Sequence, residues 1–251
     1  MHKFCRTALA VSFSLGLGLS GLTLSGLVTS GEALAFDKSS VPEELPVLVP
    51  ESQHATASKR ITARFTRAHY KKVKIDDELS GQIFDRFVKQ LDYARNVFLK
   101  SDIDSFEKNR LEFDTVLTRG KLTIAYDIYN LNMQRRLERY EYALSLLGTD
   151  SKKNPFDFTL DESYLFDRED AAWPASEAEL NELWRLKVKS DVLNLTLTGK
   201  EWSKTKEVLT KRYNYAIKRL KQSESEDAFQ LMMNSFARVV EPHTSYLSPR
   251  N

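Results

Sequence analysis

Residues 76–100 read DDELSGQIFDRFVKQLDYARNVFLK, and this stretch decides the fold class. Its apolar side chains Leu79, Ile83, Phe84, Phe87, Val88, Leu91 and Phe98 recur at helical spacing, in steps of three and four, which lines one face of an α-helix. Asp76 or Asp77 is placed to cap the start by accepting from a free backbone N–H of the first turn. A continuous stripe of this size has to be buried, so the helix predicts further helices around it.

The pattern continues outward. From Ser58 to Asn154 there is no proline, and the glycines are Gly81, Gly120 and Gly148. A second segment opens at Ser101-Asp102-Ile103-Asp104, turns Ile103, Phe106, Leu111, Val116 and Leu117 inward, and stops at Gly120, which tolerates a left-handed cap. The third, Lys121 to Leu147, reads as a central helix closed by Gly148, with Arg135, Arg136, Glu138 and Arg139 facing out. Thr149 to Ala175 breaks the period and reads as an ordered loop pinned by Phe156, Phe158, Tyr164, Phe166 and Trp173. Ser176-Glu177-Ala178-Glu179 is a capping box for a helix running to about Leu197 and ended by Gly199. Two more helices cover roughly Ser203–Lys221 and Ser223 to Val240, the last stopped by Glu241-Pro242. The expected fold is all-α, with about six to seven helices over residues 58–240.

Residues 1–35 carry a signal for export. Lys3 and Arg6 precede an apolar run from Thr7 to about Ser30, and Ala33-Leu34-Ala35 offers the small residues a signal peptidase needs, so cleavage leaves Phe36 first. An uncleaved anchor is the competing reading, weakened by Gly16, Gly18, Gly21 and Gly26. Cys5 stands before the apolar run and cannot be a lipoprotein acylation site, so the mature chain has no cysteine, disulfide or thiolate–metal chemistry. The expected location is the periplasm, with membrane contact only through the transient signal peptide. Residues 36–57, with Pro42, Pro46 and Pro50, read as a linker or arm; Leu45 to Val49 either lies extended in a surface groove or is a flexible spacer, the latter favoured.

Charged residues make up 29% of the chain at a net +2, a balance that argues against nucleic acid as a partner. His2, His54, His69 and His243 share no helical turn, with His54 falling in the arm, so no metal site is expected. No glycine-rich turn follows a strand to cradle a phosphate, and no cofactor is expected. Asp161, Glu162, Asp167, Glu169 and Asp170 cluster in the aromatic loop without a regular ligand pattern, which favours a solvated acidic loop over calcium or acid–base work. No serine–lysine pair lies in a strained turn or amide pocket, so no catalytic residue is assigned.

The final tract, Glu241-Pro242-His243-Thr244-Ser245-Tyr246-Leu247-Ser248-Pro249-Arg250-Asn251, is no helix cap. Tyr246 and Leu247 call for burial with no element after them, as at the entrance to a further domain. This tract resembles the Asp-Pro-His-Thr-x-Tyr-Leu segment of the carboxyl-terminal processing, or tail-specific, proteases, where it leads into a PDZ domain. Ile61 to Tyr70, Tyr126 to Leu131, Arg135 to Tyr140, and Trp173-Pro174 with Glu177-Ala178-Glu179-Leu180 look like the helical N-terminal domain of the large periplasmic members. The resemblance runs from about residue 45 to Asn251 and departs at Glu241, where the family usually has Asp; a shorter carboxylate caps a turn better, so this corner is expected to be altered.

The resemblance implies a serine endopeptidase of the Ser-Lys type, its lysine the general base, which engages the apolar C-terminal tails of protein substrates through its PDZ domain. Both dyad residues, the oxyanion hole and the PDZ groove fall beyond the matched tract, so none transfers to a position here, and the chain alone is expected to be inactive. The helical region then resembles a bowl wall framing the protease core, with helical-repeat adaptor lipoproteins as partners. A free-standing helical binding or regulatory module is the alternative.

Overall fold

The computed structural model describes residues 43–148 and 152–249. They form eight α-helices: α1 (Ser52–Ala68), α2 (Asp77–Leu91), α3 (Lys100–Glu107), α4 (Phe113–Arg119), α5 (Thr123–Leu147), α6 (Glu177–Leu197), α7 (Trp202–Lys221) and α8 (Ser225–Val240). A one-turn 3-10 helix covers Arg110–Glu112, and there is no strand among the described residues. The signal read in residues 1–35, with its cleavage after Ala35, lies outside them; no described helix is long and apolar enough to cross a membrane.

α2 starts as its sequence predicts, with the Asp76 carboxylate accepting from Leu79 N–H at 3.1 Å. Ile83, Phe84 and Phe87 are buried, and Phe113 packs against both phenylalanine rings, at 5.8 and 5.9 Å between centroids. The helix ends at Leu91 and not at Lys100. Asp92 is buried and folds its carboxylate over the next turn, accepting from the N–H groups of Asn96, Val97 and Phe98 at 2.9, 2.8 and 2.9 Å. A short acidic side chain thus outcompetes the helical carbonyls for these donors. Phe98 consequently reaches the core from a loop, against Phe106 and Trp173.

The segment read as one helix over 101–120 is two, and with α1 added to the six segments read this brings the count to eight. Ser80 of α2 causes part of the break: its hydroxyl donates to Arg110 O at 3.0 Å and accepts from Phe113 N–H at 2.9 Å, capping α4 from a neighbouring helix. Leu111, expected inside, is half exposed in this break. α4 ends at Gly120 with φ 66°. A Cβ there would lie 2.7 Å from Ala55 O, so glycine sets the approach of α1 to α4.

α5 is central, as read, because it serves two apolar cores. Ala125, Tyr126, Ile128 and Met133 join a cluster built from α1–α4 and α8, while Ala143 and Leu147 join α6 and α7 around Trp184, Val188 and Leu209. Arg139 departs from the expected outward face and is 4% exposed. Its guanidinium donates to Asn181 Oδ1 at 2.5 Å and packs over the Tyr142 ring, where α6 covers α5. A long aliphatic stem makes such cover tolerable, and no periodicity distinguishes this arginine from its neighbours.

The arm also differs from its sequence reading. α1 already begins at Ser52, and Leu48 is buried, its N–H donating to Asn130 Oδ1 at 3.0 Å and its carbonyl accepting from Asn130 Nδ2 at 2.9 Å. The extended, docked reading of Leu45 to Val49 therefore replaces the spacer. In the 152–175 loop, Phe156 and Trp173 reach the two cores, Tyr164 is partly buried, and Phe158 and Phe166 stay exposed. Ion pairs hold its middle: Glu162 with Arg185 and Lys189, and Glu169 with Lys89.

Candidate functional site

Three remote parts of the chain meet at the first turn of α8. Glu226 stands there, where the helix dipole favours a carboxylate. Its Oε2 lies 2.9 Å from Nε2 of His54 on α1, and its Oε1 accepts from the Tyr246 hydroxyl at 2.9 Å. His54 is 1% exposed and lies flat on Phe229, ring centroids 4.6 Å apart. On the other side of the ring, Nδ1 accepts from Glu51 N–H at 3.2 Å, which assigns the remaining proton to Nε2, facing Glu226. The Tyr126 hydroxyl is 2.8 Å from both Nδ1 and the Ser225 carbonyl. Burial pushes the Tyr126 phenol well above its usual range.

Histidine, carboxylate and tyrosine together have the composition of a proton relay. Catalysis also needs room for a reacting group, and here Phe229 covers the imidazole face and solvent is excluded. What the arrangement does is join the N-terminus of α1, α5, α8 and the final tract as one polar clasp.

The tract is fastened at further points. Asn234 accepts from Tyr246 N–H at 2.8 Å and donates to its carbonyl at 3.4 Å, while the Tyr246 ring meets Phe229 edge-on at 5.2 Å. Burial and the Glu226 carboxylate push the Tyr246 phenol up to about 12. Tyr246 therefore finds its partner inside the chain, contrary to the expectation of an unmet ring; Leu247 is 70% exposed. At the head of the tract, Glu241 accepts from the Tyr70 hydroxyl and pairs with Lys71 Nζ at 2.9 Å. These two partners hold its carboxyl down at about 2. At this corner the glutamate thus reaches back to the residues that follow α1.

The other sequence candidates are not brought together. His69 stacks on Phe65, His243 is exposed, and two of the five loop acids, Glu162 and Glu169, are committed to ion pairs. Among the described residues no group of three or more His, Cys, Asp and Glu is arranged to hold a metal. His54 was missed because it looked like arm. The available signal was His54, Ser58 and Thr62, three small or polar residues at four-residue steps that form the buried line of α1.

The family model described as tail specific protease N-terminal domain matches residues 61–250, from α1 through the fastened tract. The chain belongs to that family. A tail-specific protease of Haemophilus influenzae is 50% identical over 207 residues, covering 82% of this chain and 29% of the relative. The chain spans less than a third of that tail-specific protease. Within the matched tail-specific protease domain lie Glu226, Asn234, Glu241 and Tyr246; His54 precedes the matched residues.

Proposed function

We propose that this chain is the non-catalytic N-terminal platform of a periplasmic tail-specific serine endopeptidase, which in intact form degrades or trims proteins recognised by their C-terminal tails. The observation that carries this is the family match running through a final tract that α8 holds by side chain and backbone at Tyr246. A tract fixed in this way presents whatever polypeptide follows from a defined point on the helical domain. In this reading the chain supplies shape and attachment, with a helical-repeat adaptor lipoprotein as a second partner, and the peptide bond is cut elsewhere.

The test is hydrolysis of a peptide with an apolar C-terminal tail, by the purified chain and by the chain joined in frame to the protease segment of its Haemophilus relative. Cleavage by the fusion alone is expected; cleavage by the chain alone overturns the reading. Export is tested by osmotic-shock fractionation and N-terminal sequencing, which is expected to begin at Phe36.

A free-standing binding or regulatory module is the second reading, and one observation favours it: Tyr246 is satisfied by α8 without a following element. It predicts cooperative melting of the isolated chain.

A further inference from the structure

The near balance of charge over the whole chain conceals a local excess. α7 holds seven lysines and arginines against one carboxylate, Glu207. Glu207 is shared by Lys204 and Lys211, and Arg212 lies 3.6 Å from Asp191. Lys218 and Arg219, near the end of the helix, make no side-chain ion pair with any described residue.

Of these two cations, Arg219 borders a cleft of about 800 Å³ between α5, α7 and the start of α8. Arg136 and Arg219 stand in its wall beside Tyr129, Tyr140 and Tyr215. Gln90, from the end of α2, also faces this space, and its side-chain amide nitrogen is buried with no hydrogen-bond partner among the described residues. A second cavity of about 280 Å³ shares Arg136, Tyr140 and Ala216 with the first and adds Lys187 and Arg212. The lining also carries acid: Glu224 and Asp227 belong to it, Asp227 accepting from Glu224 N–H at 2.8 Å.

We propose that this cleft binds an extended acidic polypeptide segment. Tyrosine and arginine in a concave, partly desolvated wall are the side chains that anchor protein partners. The unmet Gln90 donor fits a backbone carbonyl, whose absence leaves a buried polar group unpaired. Arg212 and Arg219 are seven residues apart on α7, about 10 Å along the axis, which an extended chain covers in about three residues. Several carboxylate side chains, and not one terminal carboxylate, therefore match the run of cations. Binding by this chain alone is independent of whether it serves a protease.

The experiment is fluorescence anisotropy of a labelled, C-terminally amidated decapeptide of alternating glutamate and alanine, titrated with the purified full chain. A lysine–alanine peptide and heparin are run alongside. Saturable binding of the glutamate peptide is expected, none of the lysine peptide, and a loss of about tenfold or more in Arg219→Glu, the equivalent of one charge-assisted contact. Lys204→Glu, at the far end of α7, carries the same charge change and is expected to weaken binding much less. Circular dichroism verifies that both variants are folded. The proposal is overturned by no binding, by equal loss in the two variants, or by heparin binding tighter than the peptide with the same pattern of loss.

Discussion

Glu226 Oε2 lies 2.9 Å from His54 Nε2, across 172 positions of sequence, inside the first apolar core. The pair is worth more to the fold than a surface ion pair because neither side chain is free to exchange it for water: His54 is 2% exposed in its side chain and Glu226 13%. Removing one partner strands the other. Glu226→Ala leaves both His54 Nε2–H and the Tyr246 hydroxyl without their acceptor and is expected to cost about 2–4 kcal/mol. Urea denaturation measures it. Tyr246→Phe, which removes only one hydroxyl, is expected to cost about 1 kcal/mol. If Glu226→Ala costs no more than Tyr246→Phe, the clasp is not a unit.

The Glu241 corner gives a prediction on the acid side. Its carboxyl is held at about 2 by the Tyr70 hydroxyl and Lys71, against an ordinary 4.5. A carboxylate with a depressed folded pKa contributes stability that is present above the unfolded value and lost as pH falls through the folded one. The difference in Tm between the parent and Glu241→Gln is therefore expected to be constant above about pH 4.5 and to vanish as pH falls toward 2. A difference that holds unchanged down to pH 2 means the corner is open in solution. Glu241→Asp, one methylene shorter, is expected to lose the Tyr70 contact and to resemble the glutamine variant.

Side-chain period and caps made most of the helical frame legible in the sequence. The stripe of α2, the Ser176 cap with its Glu179 N–H at 3.2 Å, and the left-handed turns at Gly120 and Gly199 follow from local chemistry and needed no knowledge of neighbours. What was not legible depended on distant partners. Nothing local to Asp92 says that its carboxylate will take three N–H groups and end a helix whose apolar stripe runs on to Phe98. Nothing local to Arg139 says that α6 will cover it, and nothing in the final tract says that Glu226 is waiting for Tyr246. The clasp was hidden for the same reason: a buried line made of His54, Ser58 and Thr62 carries no hydrophobic signal.

Gly120 tests whether α1 and α4 approach as closely as the fold requires. Its φ of 66° is costly for any residue with a Cβ, and that Cβ would sit 2.7 Å from the Ala55 carbonyl oxygen and 3.0 Å from the Ala55 side chain. Gly120→Ala combines left-handed strain of about 1 kcal/mol with the displacement of a helix backbone, so a total of about 2–3 kcal/mol is expected. Gly199→Ala is the control, with φ 82° and no atom within 4 Å of the added Cβ; it pays the strain alone. Equal losses in the two variants would show that α1 can move away from α4 at no cost.

The docked arm can be tested at Leu48. Its side chain is 4% exposed and packs in the first core, while the Asn130 amide engages both its N–H and its carbonyl. Leu48→Ala removes buried methyl groups at the core's edge and is expected to cost about 2–3 kcal/mol; Asn130→Ala leaves two part-buried backbone groups to find water, at about 1–2 kcal/mol. The neighbouring Val47 is 81% exposed, so Val47→Ala is expected to change stability by less than about 0.5 kcal/mol. Thermal or urea melts separate the three. Amide exchange gives an independent reading: Leu48 N–H is expected to be protected in the parent and to lose that protection in Asn130→Ala, while helix α5 keeps its own. Loss of protection without loss of stability would mean that the arm opens as a separate unit and that the core closes beneath it.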